Sequence, residues 1–217
     1  MKLFRAALAL ALVACDAKPK EGTGPAEPAV LEARQLLAEA GYPEGRSFPK
    51  LEILYNTDEG HKKVAAAIQQ MWRKNLGIDV SLRNTEWKVY LDDMSKLRFQ
   101  IMRRGWIGDY GDPMTFLELM TSWSGNNNTG WSNAAFDALI KKASAEADPA
   151  KRLELLRQAE KILVDELPIL PLYFYVSQNA WKENVKGLYP STLDVHPLHE
   201  VYVEGKDELV INNATEV

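Results

Sequence analysis

Leu51-Glu52-Ile53-Leu54-Tyr55, His61 to Asn75 and Ile78-Asp79-Val80-Ser81-Leu82 together decide the fold class. The first is a short β-type run. The second carries Val64, Ala65, Ile68, Met71 and Trp72 at helical spacing and is closed by Gly77. The third alternates apolar and polar residues, as a half-buried strand does. Two strands separated by one helix imply parallel pairing, because a hairpin turn cannot contain a helix. Downstream, Thr85 to Met94 reads as a short helix and Arg98 to Arg104 as a third strand. Upstream, Val30, Ala33, Leu36, Leu37 and Ala40 mark a helix ended by Gly41 and Pro43. The expected fold is α/β, a mostly parallel mixed sheet flanked by helices.

Beyond Gly105 the pattern turns helical. A helix is expected from about Pro113 to Thr121, then a polar loop over Ser124 to Thr129. Asn133 to Ala147 and Pro149 to Glu166 read as two helices, with Asp148 as N-cap of the second. Leu167 to Val176 is an extended apolar-aromatic run, and from Trp181 the chain turns irregular. Residues 30–180 are expected to form one lobe, with 181–217 as an irregular tail.

The 217 residues, 46% of them hydrophobic, suffice for a buried core. A formal charge of −4 gives no basic footprint for nucleic acid. The single cysteine excludes an internal disulfide and a cysteine-based zinc cluster. It stands in Leu12-Val13-Ala14-Cys15, after Lys2, Arg5 and the apolar stretch Ala6 to Ala14. That stretch is too short to span a bilayer and fits a signal peptide, residues 1–14. The ending resembles the lipobox of bacterial lipoproteins, which implies acylation of Cys15, with residues 15–29 a solvated tether and the membrane reached through the lipid alone. Localisation would then be periplasmic or extracytoplasmic.

Arg103-Arg104-Gly105-Trp106-Ile107-Gly108-Asp109-Tyr110-Gly111-Asp112-Pro113 is the informative loop. In open α/β sheets ligands gather at the carboxyl ends of strands, where this segment lies. Its glycines permit close backbone approach, and Asp109 offers a negative charge. The same residues also suit a tight strand-to-helix turn capped by Asp112. A hydrolase using Asp109 and Asp112 as paired carboxylates lacks any nearby nucleophile or metal set. His196 and His199 are three apart, but Pro197 opposes the helix that would aim both at one metal ion. No catalytic residue, metal or cofactor is assigned.

Ala33 to Pro43, Tyr55-Asn-Thr-Asp-Glu-Gly-His61-Lys-Lys, Trp72 to Ile78 with Glu86-Trp87-Lys88, Arg104 to Pro113 and Asn133 to Asp137 occur in order with a shared spacing. Through them, Leu31 to Val203 resembles the C-terminal lobe of the oligopeptide- and dipeptide-binding proteins of ABC importers, the family 5 extracellular solute-binding proteins. The resemblance implies a non-catalytic peptide-binding component that works with an ABC permease. It places Gly105, Trp106, Ile107, Gly108 and Asp109 along the peptide, with Asp109 holding the α-ammonium. It also implies that Arg103 meets the carboxylate of a short peptide, that His61 reaches that of a longer one, and that Asn56 lines the same groove. Met94 stands where the oligopeptide type can carry arginine. Relatives place a long N-terminal lobe before the helix matching Val30 to Ala40, so the resemblance also implies a separate polypeptide supplying that half. The alternative is a truncated relative acting as an interaction module. On either reading the wall around Trp106 and Asp109 is expected to be open to solvent, and the 181–217 tail poorly packed or recruited to self-association.

Mass spectrometry of membrane-extracted protein from the native host is expected to find Cys15 as a lipid-modified N-terminus. An unprocessed Met1 start would overturn the lipobox reading.

Overall fold

The computed structural model describes residues 27–191 and 193–205. The signal segment, Cys15 and most of the expected tether lie outside the described residues, as does the end of the tail.

Three parallel strands form the sheet: β1 (Leu51–Asn56), β2 (Val80–Thr85) and β3 (Ile101–Met102), in the order β2-β1-β3. β1 pairs with β2 from Leu51↔Val80 to Asn56↔Thr85, and with β3 through Ile53↔Ile101 and Leu54↔Met102. The helices α1 (Glu27–Glu39) and α2 (Glu59–Leu76) supply one core. Ala33, Leu37, Ala40, Ile53, Tyr55, Ala65, Ile68, Trp72, Leu76, Ile78 and Val80 are packed together in it. Leu54, fully buried, points to the opposite face by strand alternation. α3 (Trp87–Ser95) lies against β1.

The helices begin and end where local chemistry dictates. Asp58 caps α2 by accepting from His61 N–H, and Gly77 ends it in the left-handed region at φ 71°. The described part of α1 begins at Glu27, upstream of the expected Val30. The N-terminal end of α1 therefore takes in residues that the sequence assigned to the tether.

β2 runs later than expected. Ile78 is spent on closing α2, its N–H donating to Trp72 O, and pairing then continues to Thr85. β3 is shorter than the Arg98 to Arg104 run. The Gln100 side chain takes the place of a backbone partner, its Oε1 accepting from Glu52 N at 2.9 Å. Arg98 is drawn away by Asp92 and Asp93.

A second cluster follows. α4 (Met114–Leu117) continues as a 3-10 turn, Glu118–Met120, in place of one regular helix to Thr121. α5 (Ala134–Ala145), capped by Asn133, and α6 (Pro149–Glu166), capped by Asp148, pack as an antiparallel pair. Met114, Leu117, Met120, Phe136, Ile140, Ala143, Leu156, Ala159 and Leu163 are its buried members. The run after Leu167 passes along the surface: Leu172 packs partly against the first core, while Phe174 is 95% exposed. The tail holds a small antiparallel pair, β4 (Val185–Lys186) with β5 (Tyr202–Val203).

Backbone contact at Gly77 is tight. A methyl there would overlap the Glu44 carbonyl oxygen, and its φ disfavours side chains. Gly77→Ala is expected to lower unfolding free energy by about 1–3 kcal/mol, measured by urea titration.

Candidate functional site

The site is built where β1 and β3 end. Arg103 N–H donates to Leu54 O at 2.8 Å, carrying the β3 pairing one residue further. Tyr90 on α3 donates its hydroxyl to Arg103 O at 2.6 Å, and Trp87 stacks on Tyr90 with ring centroids 5.4 Å apart. Burial raises the Tyr90 phenol above its usual value, so it stays a donor at neutral pH. The loop 103–109 therefore leaves the sheet with its first carbonyl fixed.

The structure brings Asn56 and His61 together. His61 Nδ1 lies 2.8 Å from Asn56 Oδ1, which assigns the proton to Nδ1 in the neutral ring. Burial, followed by the charge of Arg103, holds the His61 pKa below its ordinary value against the opposing pull of Asp58. Arg103 is thus a neighbour of this pair. Its Nη2 donates to Tyr173 Oη at 3.4 Å, and its guanidinium lies 5.9 Å from the Tyr175 ring. Asp58 is held below its usual range chiefly by the His61 N–H.

On the other side of the loop, Asp109 is exposed. Its N–H donates to Thr115 Oγ1 at 3.0 Å, while its carboxylate makes no hydrogen bond or ion pair among the described residues. Gly108 packs closely on α4, where a methyl would lie 3.2 Å from both Thr115 and Phe116 side-chain atoms. Gly105 is exposed, and Ile107 is 73% exposed. Trp106 is less open than expected. It is half-buried because the Arg104 guanidinium covers its ring at 5.4 Å, and its Nε1 is buried without an acceptor among the described residues. A cavity of about 240 Å³ lies beside it, lined by Trp106, Asp109, Glu118, Leu119, Thr121, Trp123, Ser124 and Asn126. A broader depression of about 490 Å³ sits among Lys50, Glu52, Ser81, Arg98 and Gln100. It lies at the amino end of the sheet and contains none of the loop residues.

Asp112 has a different task. Its two oxygens accept from Arg152 Nη1 and Nη2 at 2.7 and 2.9 Å, and its Oδ1 also accepts from Met114 N–H. The capping turn and the open carboxylate thus coexist in one loop, on different aspartates. Asp112, committed to Arg152, does not form a carboxylate pair with Asp109. Tyr110, desolvated and donating to Glu118 at 2.6 Å, is pushed up to about 12.

Comparison with known proteins places this geometry. A family model described as bacterial extracellular solute-binding proteins, family 5 Middle, matches residues 14–128, more than half of the chain. The chain belongs to that family. The oligopeptide-binding protein OppA of Bacillus subtilis is 46% identical over 162 residues, 74% of this chain and 30% of that protein. The periplasmic murein peptide-binding protein MppA of Escherichia coli is 43% identical over 159 residues, 73% of this chain and 29% of its own length. The solved structure of the Escherichia coli murein tripeptide-binding protein MppA superposes with a TM-score of 0.77 at 34% identity, covering 94% of this chain and 45% of that one. The chain therefore spans about 30% of the length of these curated relatives. The parallel sheet flanked by helices is the architecture that the family resemblance implied.

Sequence reasoning passed over Tyr90, Tyr173, Tyr175 and Asn126. The alternation Tyr173-Phe174-Tyr175 was a usable signal, since it sets two rings on one side of an extended segment. The separation of 70 residues between Arg103 and Tyr173 carried none.

Arg152 first, and the Met114 N–H after it, hold the Asp112 pKa below the usual carboxylate value. A depressed pKa stabilises above the unfolded value, near 3.9, and that stabilisation is lost as pH falls through the lower folded value. Arg152→Met is expected to cost about 2 kcal/mol at neutral pH. It should also flatten the loss of stability below about pH 4, read from denaturation midpoints against pH.

Proposed function

We propose that this chain is a non-catalytic peptide-binding component of an ABC import system, with the ligand lying along residues 105–109. The observation that carries the reading is the exposed Asp109 carboxylate, without a protein partner among the described residues, at the end of a loop fixed to the sheet. A peptide's α-ammonium has a reference pKa near 8 and is charged at neutral pH, so an open carboxylate suits it. Extended backbone pairing along the glycine-flanked segment would resemble strand addition. Arg103, His61 and Asn56 stand at the far side of the loop, where Arg103 offers a cation to a ligand carboxylate and neutral His61 a ring nitrogen. The names of the relatives support the ligand class: they bind oligopeptides and murein peptides.

The exposed aromatic segment Tyr173, Phe174 and Tyr175 adjoins Arg103 and supports closure of the groove by a second lobe. That lobe belongs to the same polypeptide or to a partner. An ABC permease is the other partner in this reading. Acylated Cys15 would hold the protein at the extracytoplasmic face of a membrane. Among the described residues no helix is long and apolar enough to cross a membrane.

Isothermal calorimetry with di- to tetrapeptides tests the proposal. Asp109→Asn is expected to weaken binding by tenfold or more, roughly the worth of a charge-assisted hydrogen bond. The thermal midpoint should stay within about 1 °C, because an exposed unpaired carboxylate contributes little to folding. A sharp fall in the midpoint with unchanged affinity would make Asp109 a structural turn residue.

A further inference from the structure

Arg104 carries a charge that the fold does not use. Its Nη1 donates to the backbone oxygen of Asn126 at 2.9 Å, and its guanidinium rests on the Trp106 ring. No carboxylate forms an ion pair with it among the described residues, whereas the loop's neighbours Arg152 and Arg103 have Asp112 and the Tyr173 hydroxyl as partners. The two acids of the adjoining cavity do not answer it. Glu118 accepts from Tyr110, and Asp109 stays open to solvent. Desolvation against the ring and loop lowers the Arg104 pKa, with only Tyr90 acting in the opposite sense. An arginine nonetheless remains protonated at neutral pH. Arg104 as a residue is exposed, and neither of its two contacts neutralises its charge, which is left for a partner from solution.

The placement is specific. Asn126 and Trp106 both line the cavity beside Asp109, and Arg104 touches both. The buried Trp106 Nε1 is a second donor on the same ring without an acceptor. Arg104 therefore adjoins two lining residues of the cavity whose wall also carries the open Asp109 carboxylate. With Nη1 held by Asn126 O and the guanidinium lying over Trp106, the remaining N–H groups can meet the two oxygens of a carboxylate in parallel.

We infer that Arg104 is a specificity determinant of this site, selecting ligands that carry a side-chain carboxylate at one of the first two positions from the ammonium held by Asp109. The inference rests on the peptide-binding reading. It names the subset of peptides the site prefers, acidic ones, and assigns the preference to one residue.

Calorimetry on the full chain with Glu-Ala-Ala and Ala-Glu-Ala, each against its glutamine counterpart, tests it. At low salt one acidic peptide is expected to bind about tenfold more tightly than its neutral isostere. Added salt should narrow that gap. Arg104→Gln should close it while the glutamine peptides keep their affinity within about twofold, since only the charge-assisted contact is removed. Arg104→Lys, which keeps the charge but not the paired geometry, should retain part of the preference. Equal binding of acidic and neutral peptides to the wild type, or a gap that survives in Arg104→Gln, would overturn the role of Arg104 and leave peptide binding standing. A folded wild-type chain that binds none of the four peptides would overturn both readings.

Discussion

Everything at the site hangs on β1 being paired along both edges. A central parallel strand must be buried on both faces and has no backbone group left for water, which is why Ile53, Leu54 and Tyr55 are consecutive buried residues without a polar interruption. The ladder with β2 holds α2 at one side, and the short ladder with β3 ends in the Arg103 N–H to Leu54 O bond. From that bond onward the chain is released into the loop. The position of Asp109 is therefore set by strand pairing six residues upstream, at Arg103, by the Thr115 hydroxyl and by Tyr90 at the loop's root.

The electrostatics around the loop follow from how each charge is compensated. Asp112 and Arg152 neutralise one another in a bidentate pair and lock the loop to α6. Arg83 is likewise absorbed by Glu52 and Asp93 at the sheet's other end, where its charge-assisted hydrogen bonds raise its pKa. Arg103, Arg104 and Asp109 are left outside such pairs. Ionic groups concentrated beside a cavity, with the surrounding ions already matched, form the pattern expected of a surface that recognises zwitterions.

The helices were legible because their signals are local. Asp148 before Pro149, Asn133 before Ala134 and Gly77 after Leu76 mark ends that need only a few neighbouring residues. The buried faces of α1 and α2 likewise matched the apolar spacing, with Val64 and Met71 at their margins. Asn56 with His61 lay within reach of local reading, being five residues apart across a capped turn. The extent of β3 was not legible, since apolar residues at Phe99 and Ile101 extend the pattern while Gln100 replaces the backbone pairing through its side chain. Nor was the partner of Asp112, which lies 40 residues away on α6. Such pairings depend on how two helices pack, and periodicity within either helix is silent about that.

The two hydrophobic clusters share no buried residue, and the loop from Arg103 to Pro113 is one of the stretches of chain that run between them, the run from Leu167 to Leu172 being another. Two cores joined through surface segments behave as separable cooperative units, each able to open at its own free energy. A molecule gripping that loop favours the state in which both anchors are intact, because either anchor's opening would destroy the grip. Occupancy would then appear as slowed amide exchange deep within α5 and α6, far from any atom the ligand touches, and the melting of two units would merge into one transition.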